Sequence, residues 1–118
     1  MVVPPKEIPN YLKTLKTIGE PLGLKILGYG HLGDGNIHVN ILDLGDSKLE
    51  WVSASKTAVE HVMAAAVACG GTITGEHGIG LSKKQFLPLV YSEKDLQIMK
   101  DLKMLFDPNH LLNPGKVV

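Results

Sequence analysis

Cysteine is almost missing from this chain: Cys69 stands alone, which excludes an internal disulfide and fits a reducing compartment. An excess of charge of either sign is missing too. The 12 basic and 12 acidic residues cancel, so bulk charge draws the chain neither to nucleic acid nor to an anionic membrane surface. No run approaches the roughly 18 apolar residues of a membrane span, and residues 1–6 lack the apolar core of a signal peptide. These absences point to a soluble, cytoplasmic protein whose partner is a small molecule or another protein. Repeats, low-complexity tracts and long linkers are also absent. The 118 residues match one compact domain, a size that buries about two-thirds of its unfolded surface.

What is present is a legible order of elements. Pro4, Pro5 and Pro9 bias the start toward an extended lead, after which Tyr11, Leu12, Leu15, Ile18 and Leu22 recur at helical spacing. That helix is predicted to end between Gly19 and Gly23. From residue 25 to 44 the period changes to two, interrupted by the turn residues Gly33-Asp34-Gly35, which predicts a hairpin. A second helix is predicted from a capping box of Ser47 and Glu50, with Val52, Val59, Met63 and Val67 as its apolar stripe. Gly70-Gly71 ends it, and Cys69 at its close is expected to be a buried thiol. A short strand over residues 72–74 leads into a glycine-rich loop. Ser92 then caps a third helix with Leu96, Met99, Leu102 and Phe106 on one side, stopped by Asp107-Pro108. The fold class is α+β, an antiparallel sheet with a central hairpin and helices on one face.

The chemistry sits in two short segments. A two-residue type I′ turn at Asp34-Gly35 would pair His31 with His38, Leu32 with Ile37 and Tyr29 with Asn40. Alternation then places Ile26, Gly28, Gly30, Leu32, Ile37, Val39 and Ile41 on an apolar face, with Tyr29, His31, Asn36, His38 and Asn40 on the other. Opposed residues have Cβ atoms about 4.5–5.5 Å apart, so two imidazoles can converge on one divalent ion. The alternative is a polar face that meets solvent, with the histidines as ordinary surface residues. The second segment, Gly75-Glu76-His77-Gly78-Ile79-Gly80, adds a carboxylate and a third imidazole. Two histidines and a carboxylate leave coordination positions open, the pattern of a catalytic site for zinc, manganese or iron. Here the alternative is a tight turn with Glu76 solvated and His77 capping a backbone group. Neighbours in extended backbone point opposite ways, so Glu76 is assigned to the metal. His77 becomes the candidate general base, imidazole being the side chain that exchanges protons near neutral pH.

These residues carry a resemblance. Gly30-His31-Leu32-Gly33-Asp34-Gly35-Asn36-Ile37-His38, the segment 75–80, and the ending Phe106-Asp107-Pro108-Asn109 with Leu112-Asn113-Pro114-Gly115-Lys116 are similar to signatures of the C-terminal cap domain of the FAD-linked oxidases. That family includes D-lactate dehydrogenase, the glycolate oxidase flavin subunit and D-2-hydroxyglutarate dehydrogenase. The resemblance implies a partial, ferredoxin-like cap. In it His31, His38 and Glu76 match metal ligands, with zinc placed first and manganese or iron as alternatives. His77 matches the residue assigned to substrate deprotonation, and Asn40 a substrate contact. Asn113 matches a position near the flavin, although it also reads as a simple helix-stop turn. The implied reaction is oxidation of a 2-hydroxy acid to a 2-oxo acid, with hydride passing to FAD. His61 and His110 carry no such match and are expected at the surface or in packing.

The departure from the family is one of length. A separate FAD-binding domain and an earlier part of the cap precede the matching region in family members, and residues 1–24 hold no glycine-rich diphosphate loop. FAD is therefore expected to be held mainly by an absent domain or partner, and this chain alone is expected to lack turnover. Sheet edge and apolar surface left uncovered would favour a homo-oligomer. Two other functions fit the residues: a non-catalytic metal-binding or docking module that associates with a separate flavoprotein, and a small metal hydrolase using a metal-bound water. No helical metalloprotease signature supports the latter.

Overall fold

The computed structural model describes residues 1–43 and 48–118, apart from the side chains of residues 48 and 49. The chain divides into two compact units, Met1–Glu76 and His77–Val118. In the first, helix α1 (Ile8–Gly19) leads through a 3-10 turn at Glu20–Leu22 into strand β1 (Lys25–His31), strand β2 (Asn36–Leu42) and helix α2 (Lys48–Ala68). The two strands pair antiparallel and the helices pack against them, an α+β arrangement.

Helix α1 covers the predicted stretch but starts earlier: the extended lead stops at Pro4, Pro5–Glu7 form a 3-10 turn, and Pro9 lies inside the helix. Proline stands in its first turn, where the ring's fixed φ suits a helix start. Ile8, Tyr11, Leu15 and Gly19 recur every three or four residues and are buried. Tyr11 reaches across to α2, its hydroxyl donating to the Val62 carbonyl at 3.2 Å, and burial pushes its phenol above the ordinary tyrosine range. The seam of α2 differs from the predicted stripe. Ala58, Val62 and Ala66, spaced by four, join the main core, and Met63 is buried too. Val59 and Val67 are only half-buried, and Val52 is 58% exposed. Small alanines let α2 approach α1 closely, and they leave no mark in a search for large apolar residues. Ser47, half of the expected capping box, lies outside the described residues. Cys69 is half-buried rather than buried.

The extended lead has a place of its own. Met1 and Val3 run along β2, where the Ile37 N–H donates to the Met1 carbonyl at 2.8 Å and the Val3 N–H to the Gly35 carbonyl at 3.0 Å. On the opposite side Val2 forms an isolated bridge with Thr72. That bridge replaces the strand predicted over residues 72–74: the backbone pairs only at Thr72 before turning away.

In the second unit a 3-10 stretch, Lys84–Leu89, buries Phe86 and Leu87 ahead of helix α3 (Glu93–Phe106). Ser92 caps α3 as expected, in a reciprocal box with Asp95. No residue of α3 is buried; Leu96 and Met99 are half-buried while Leu102 and Phe106 are exposed. Asp107 stops the helix. Its carboxylate bonds the Lys103 ammonium and accepts the backbone N–H groups of Leu111 at 2.8 Å and Leu112 at 3.0 Å. These bonds, the Lys103 bond foremost, hold its pKa down at about 2.

Candidate metal site

The hairpin carries the site, although its turn is not the predicted one. His31 pairs with Asn36, which leaves a four-residue loop, Leu32 to Gly35, in place of a two-residue turn. A type I′ turn needs positive φ at both central residues. Gly35 has it, at 75°, whereas Asp34 is not among the positive-φ residues. Instead Asp34 uses its side chain, accepting the Asn36 N–H at 3.0 Å. Gly35 is obligatory for a further reason: a Cβ there would sit 1.9 Å from the Val3 carbonyl oxygen.

Relative to the predicted register every pair has moved by two residues. Tyr29 faces His38, Gly28 faces Val39 and Leu27 faces Asn40, so His31 and His38 are diagonal neighbours rather than directly opposed. A shift of two preserves which face each side chain takes, whereas a shift of one would have reversed it. The predicted faces therefore survive. Ile37 and Ile26 are buried, while His31 and His38 stand together on the other face with their rings edge to face at 6.1 Å between centroids. The exception is Leu32, which lies in the loop, 64% exposed, rather than on the apolar face. Tyr29 stacks on His38 at 5.4 Å with 28° between the ring planes. That contact restrains the imidazole from one side, a role of Tyr29 that sequence reading missed and that only the true register reveals.

Glu76 reaches this face from the far end of the unit. Its Oε1 lies 3.3 Å from His38 Nε2. One donor atom each from His31, His38 and Glu76 falls within 4.8 Å of the others. Zinc bonds nitrogen and oxygen at about 2.0–2.2 Å, so ligands at the corners of a tetrahedron stand roughly 3.3–3.6 Å apart. The His38–Glu76 separation already has this value, and the small closure left for His31 is within reach of an exposed side chain. Two imidazoles and a carboxylate thus fit a divalent cation and leave positions open for a further ligand.

The other expected residues divide between the units. Asn40 lies exposed on β2, on the same face as His38 and two residues beyond it. His77 opens the second unit and is exposed. Asn113 belongs to that unit as well, at φ 47°, in the turn that follows the Asp107 stop. Its carbonyl accepts the Lys116 N–H at 3.2 Å, so it has the turn role open to it. His61 and His110 are exposed, as expected.

This candidate donor set lies on the sheet face of a small α+β unit, and comparison with known proteins supplies the family. The family described as "FAD linked oxidases, C-terminal domain" matches residues 1–117, and the chain belongs to it. The chain is 38% identical over 116 residues to a D-lactate dehydrogenase of Archaeoglobus fulgidus, covering 98% of this chain and 25% of that protein. With the glycolate oxidase subunit GlcD of Bacillus subtilis it is 37% identical over 115 residues, 98% of this chain and 24% of that one. A D-2-hydroxyglutarate dehydrogenase of Stutzerimonas stutzeri is also 37% identical over 115 residues, covering 94% of this chain and 25% of that protein. The chain spans about a quarter of the length of the curated relatives it matches. No helix among the described residues is long and apolar enough to cross a membrane.

Proposed function

We propose that this chain is the metal- and substrate-binding part of an FAD-dependent dehydrogenase that oxidises a D-2-hydroxy acid, such as lactate or glycolate, to the 2-oxo acid. The observation that carries the reading is the convergence of His31, His38 and Glu76 on one face of the hairpin, in a chain that matches the family throughout. The two units are then parts of one partial cap domain, and the FAD-binding domain lies outside this chain. The single Cys69 suits a reducing, cytoplasmic setting.

In this reading the ring nitrogens of His31 and His38 and a carboxylate oxygen of Glu76 hold the divalent cation, zinc by preference. When bound, the cation supplies Lewis acidity toward the hydroxyl of the substrate and FAD supplies the hydride acceptor. Asn40, on the strand face beyond His38, offers an amide to orient the substrate. His77, next in sequence to Glu76, accepts the hydroxyl proton on a ring nitrogen. Asn113 would help to hold the flavin. Elemental analysis of the purified chain beside the His31→Ala, His38→Ala double variant tests this. The expected result is about one zinc, manganese or iron per chain, lost in the double variant. Absence of metal from both proteins would favour a docking module on a separate flavoprotein.

The exposed apolar residues of the second unit, Leu105, Phe106 and Leu111 among them, support self-association of the isolated chain. Light scattering at micromolar concentration is expected to return a dimer or larger species. A monomer would count against it.

A further inference from the structure

His31 and His38 are set beside each other by the register of one hairpin, but Glu76 arrives from beyond the 21-residue helix α2. Some contact has to fix how near it comes. Val2 supplies part of the link, bridging Asn36 on one side and Thr72 on the other, with backbone bonds of 3.1 and 2.8 Å to Thr72. That anchors the incoming segment at Thr72, short of the carboxylate.

A second contact lies next to the site. The Asn36 side chain rests so close to Gly75 that a Cβ built there would stand 2.4 Å from Asn36 Oδ1 and 2.9 Å from its Cγ. Ordinary carbon contacts are about 3.5–4.0 Å. Asn36 has little room to give way. It is 7% exposed, its backbone is held in β2 opposite His31, and it shares the sheet face of both histidines. Gly75 is bonded directly to Glu76, so whatever moves Gly75 moves the carboxylate.

We infer that Asn36 and Gly75 form the joint that sets the distance between Glu76 and the two histidines. Asn36 is then a positioning residue for the metal site and not a ligand. A neutral carboxamide suits that place, because it packs beside a cation site without adding charge. The inference rests on the metal-site reading given above, deepening it by naming what holds the third ligand.

A double-mutant cycle tests the joint: wild type, Gly75→Ala, Asn36→Ala and the double variant, each titrated with zinc by calorimetry and each melted without metal. Changes that act on a metal through its ligands cost roughly 10–100-fold in affinity. Gly75→Ala is expected to weaken zinc by that order. In the Asn36→Ala background the two nearest atoms that the new methyl would strike, Oδ1 and Cγ, are gone and Val2 Cγ2 at 3.2 Å is the close neighbour left, so Gly75→Ala is expected to cost much less there, a clear departure from additivity. Additive losses in zinc affinity, or a Gly75→Ala protein that binds zinc like wild type, would overturn the joint. Coupling confined to the metal-free melting temperature would overturn it too, since that is packing alone.

A wild type that binds no zinc sinks the metal reading, and the joint is then judged without metal. Nuclear Overhauser contacts between the His38 ring and the Glu76 γ-protons are expected in the metal-free wild type and lost in Gly75→Ala. Their survival in Gly75→Ala would overturn the inference whatever zinc does.

Discussion

The two units handle apolar surface in opposite ways. Met1–Glu76 closes around Val3, Tyr11, Leu15, Ile37, Val62 and Ala66, all essentially inaccessible. His77–Val118 buries Phe86 and Leu87 but no residue of α3, whose Leu105 and Phe106 are about three-quarters exposed at 74% and 75%. The first unit rests on enclosed volume. The second rests on end devices: the Ser92–Asp95 box at one end of α3 and the Asp107 carboxylate at the other. Helical periodicity marks an apolar face in both, yet it says nothing about whether anything covers that face.

The contrast can be broken first in the core. Leu15→Ala removes a side chain that is 1% exposed, and truncation of a buried leucine costs about 2–5 kcal/mol. Urea denaturation of the metal-free chain is expected to show a loss of that size in the transition of the first unit. A loss below about 1 kcal/mol would mean that the first unit is not packed as a true core.

Next comes the cap of α3. Ser92→Ala deletes the hydroxyl that accepts the Asp95 N–H and is expected to cost about 1 kcal/mol in helix stability. Amide exchange along α3 reads this, and unchanged protection of its first turn would show that the box is idle.

The stop at Asp107 sharpens the comparison through pH. Its folded pKa, about 2, lies below the ordinary 3.8. A depressed carboxylate contributes stability that is fully present above the unfolded value and lost as pH falls through the folded one. The amide resonances of Leu111 and Leu112 should therefore titrate with a midpoint near 2 in an acid series. A midpoint near 3.8 would show that Asp107 is not held by these bonds.

The smallest effect is expected from Leu102→Ala on α3. Its side chain is 57% exposed, and surface changes of this kind usually stay within about 0.5 kcal/mol. A loss of 2 kcal/mol or more, on the order of a core truncation, would reveal that α3 is covered in solution by a second copy.

The turn shows how a local rule reached the right face by the wrong pairing. Asp-Gly favours a two-residue turn when the strands on either side are free to close on it. Here Val3 occupies the Gly35 carbonyl and Asp34 bonds Asn36 through its side chain, so the loop opens to four residues. The first could not be read locally, because it comes from the far N-terminus, whereas the second is a local Asx turn that competes with the Asp-Gly rule. The expected strand at residues 72–74 failed for a related reason. Its β-branched residues signal extended backbone, but a ladder needs a partner along its length, and Val2 offers one only at Thr72.

What the sequence determined by itself was local: helix α3 with both ends, helix α1 with its C-terminal end, the existence of the hairpin, and the side of it on which His31 and His38 stand. Spacing encodes such features, since a helix repeats near 3.6 residues and a strand at two. What tertiary structure alone decided was the pairing of Tyr29 with His38, the alanine seam of α2, the lodging of Met1 to Val3 beside β2, and the arrival of Glu76 against the hairpin past Asn36 and Gly75. Each of these depends on contacts between residues far apart in the chain, whose geometry no local periodicity contains.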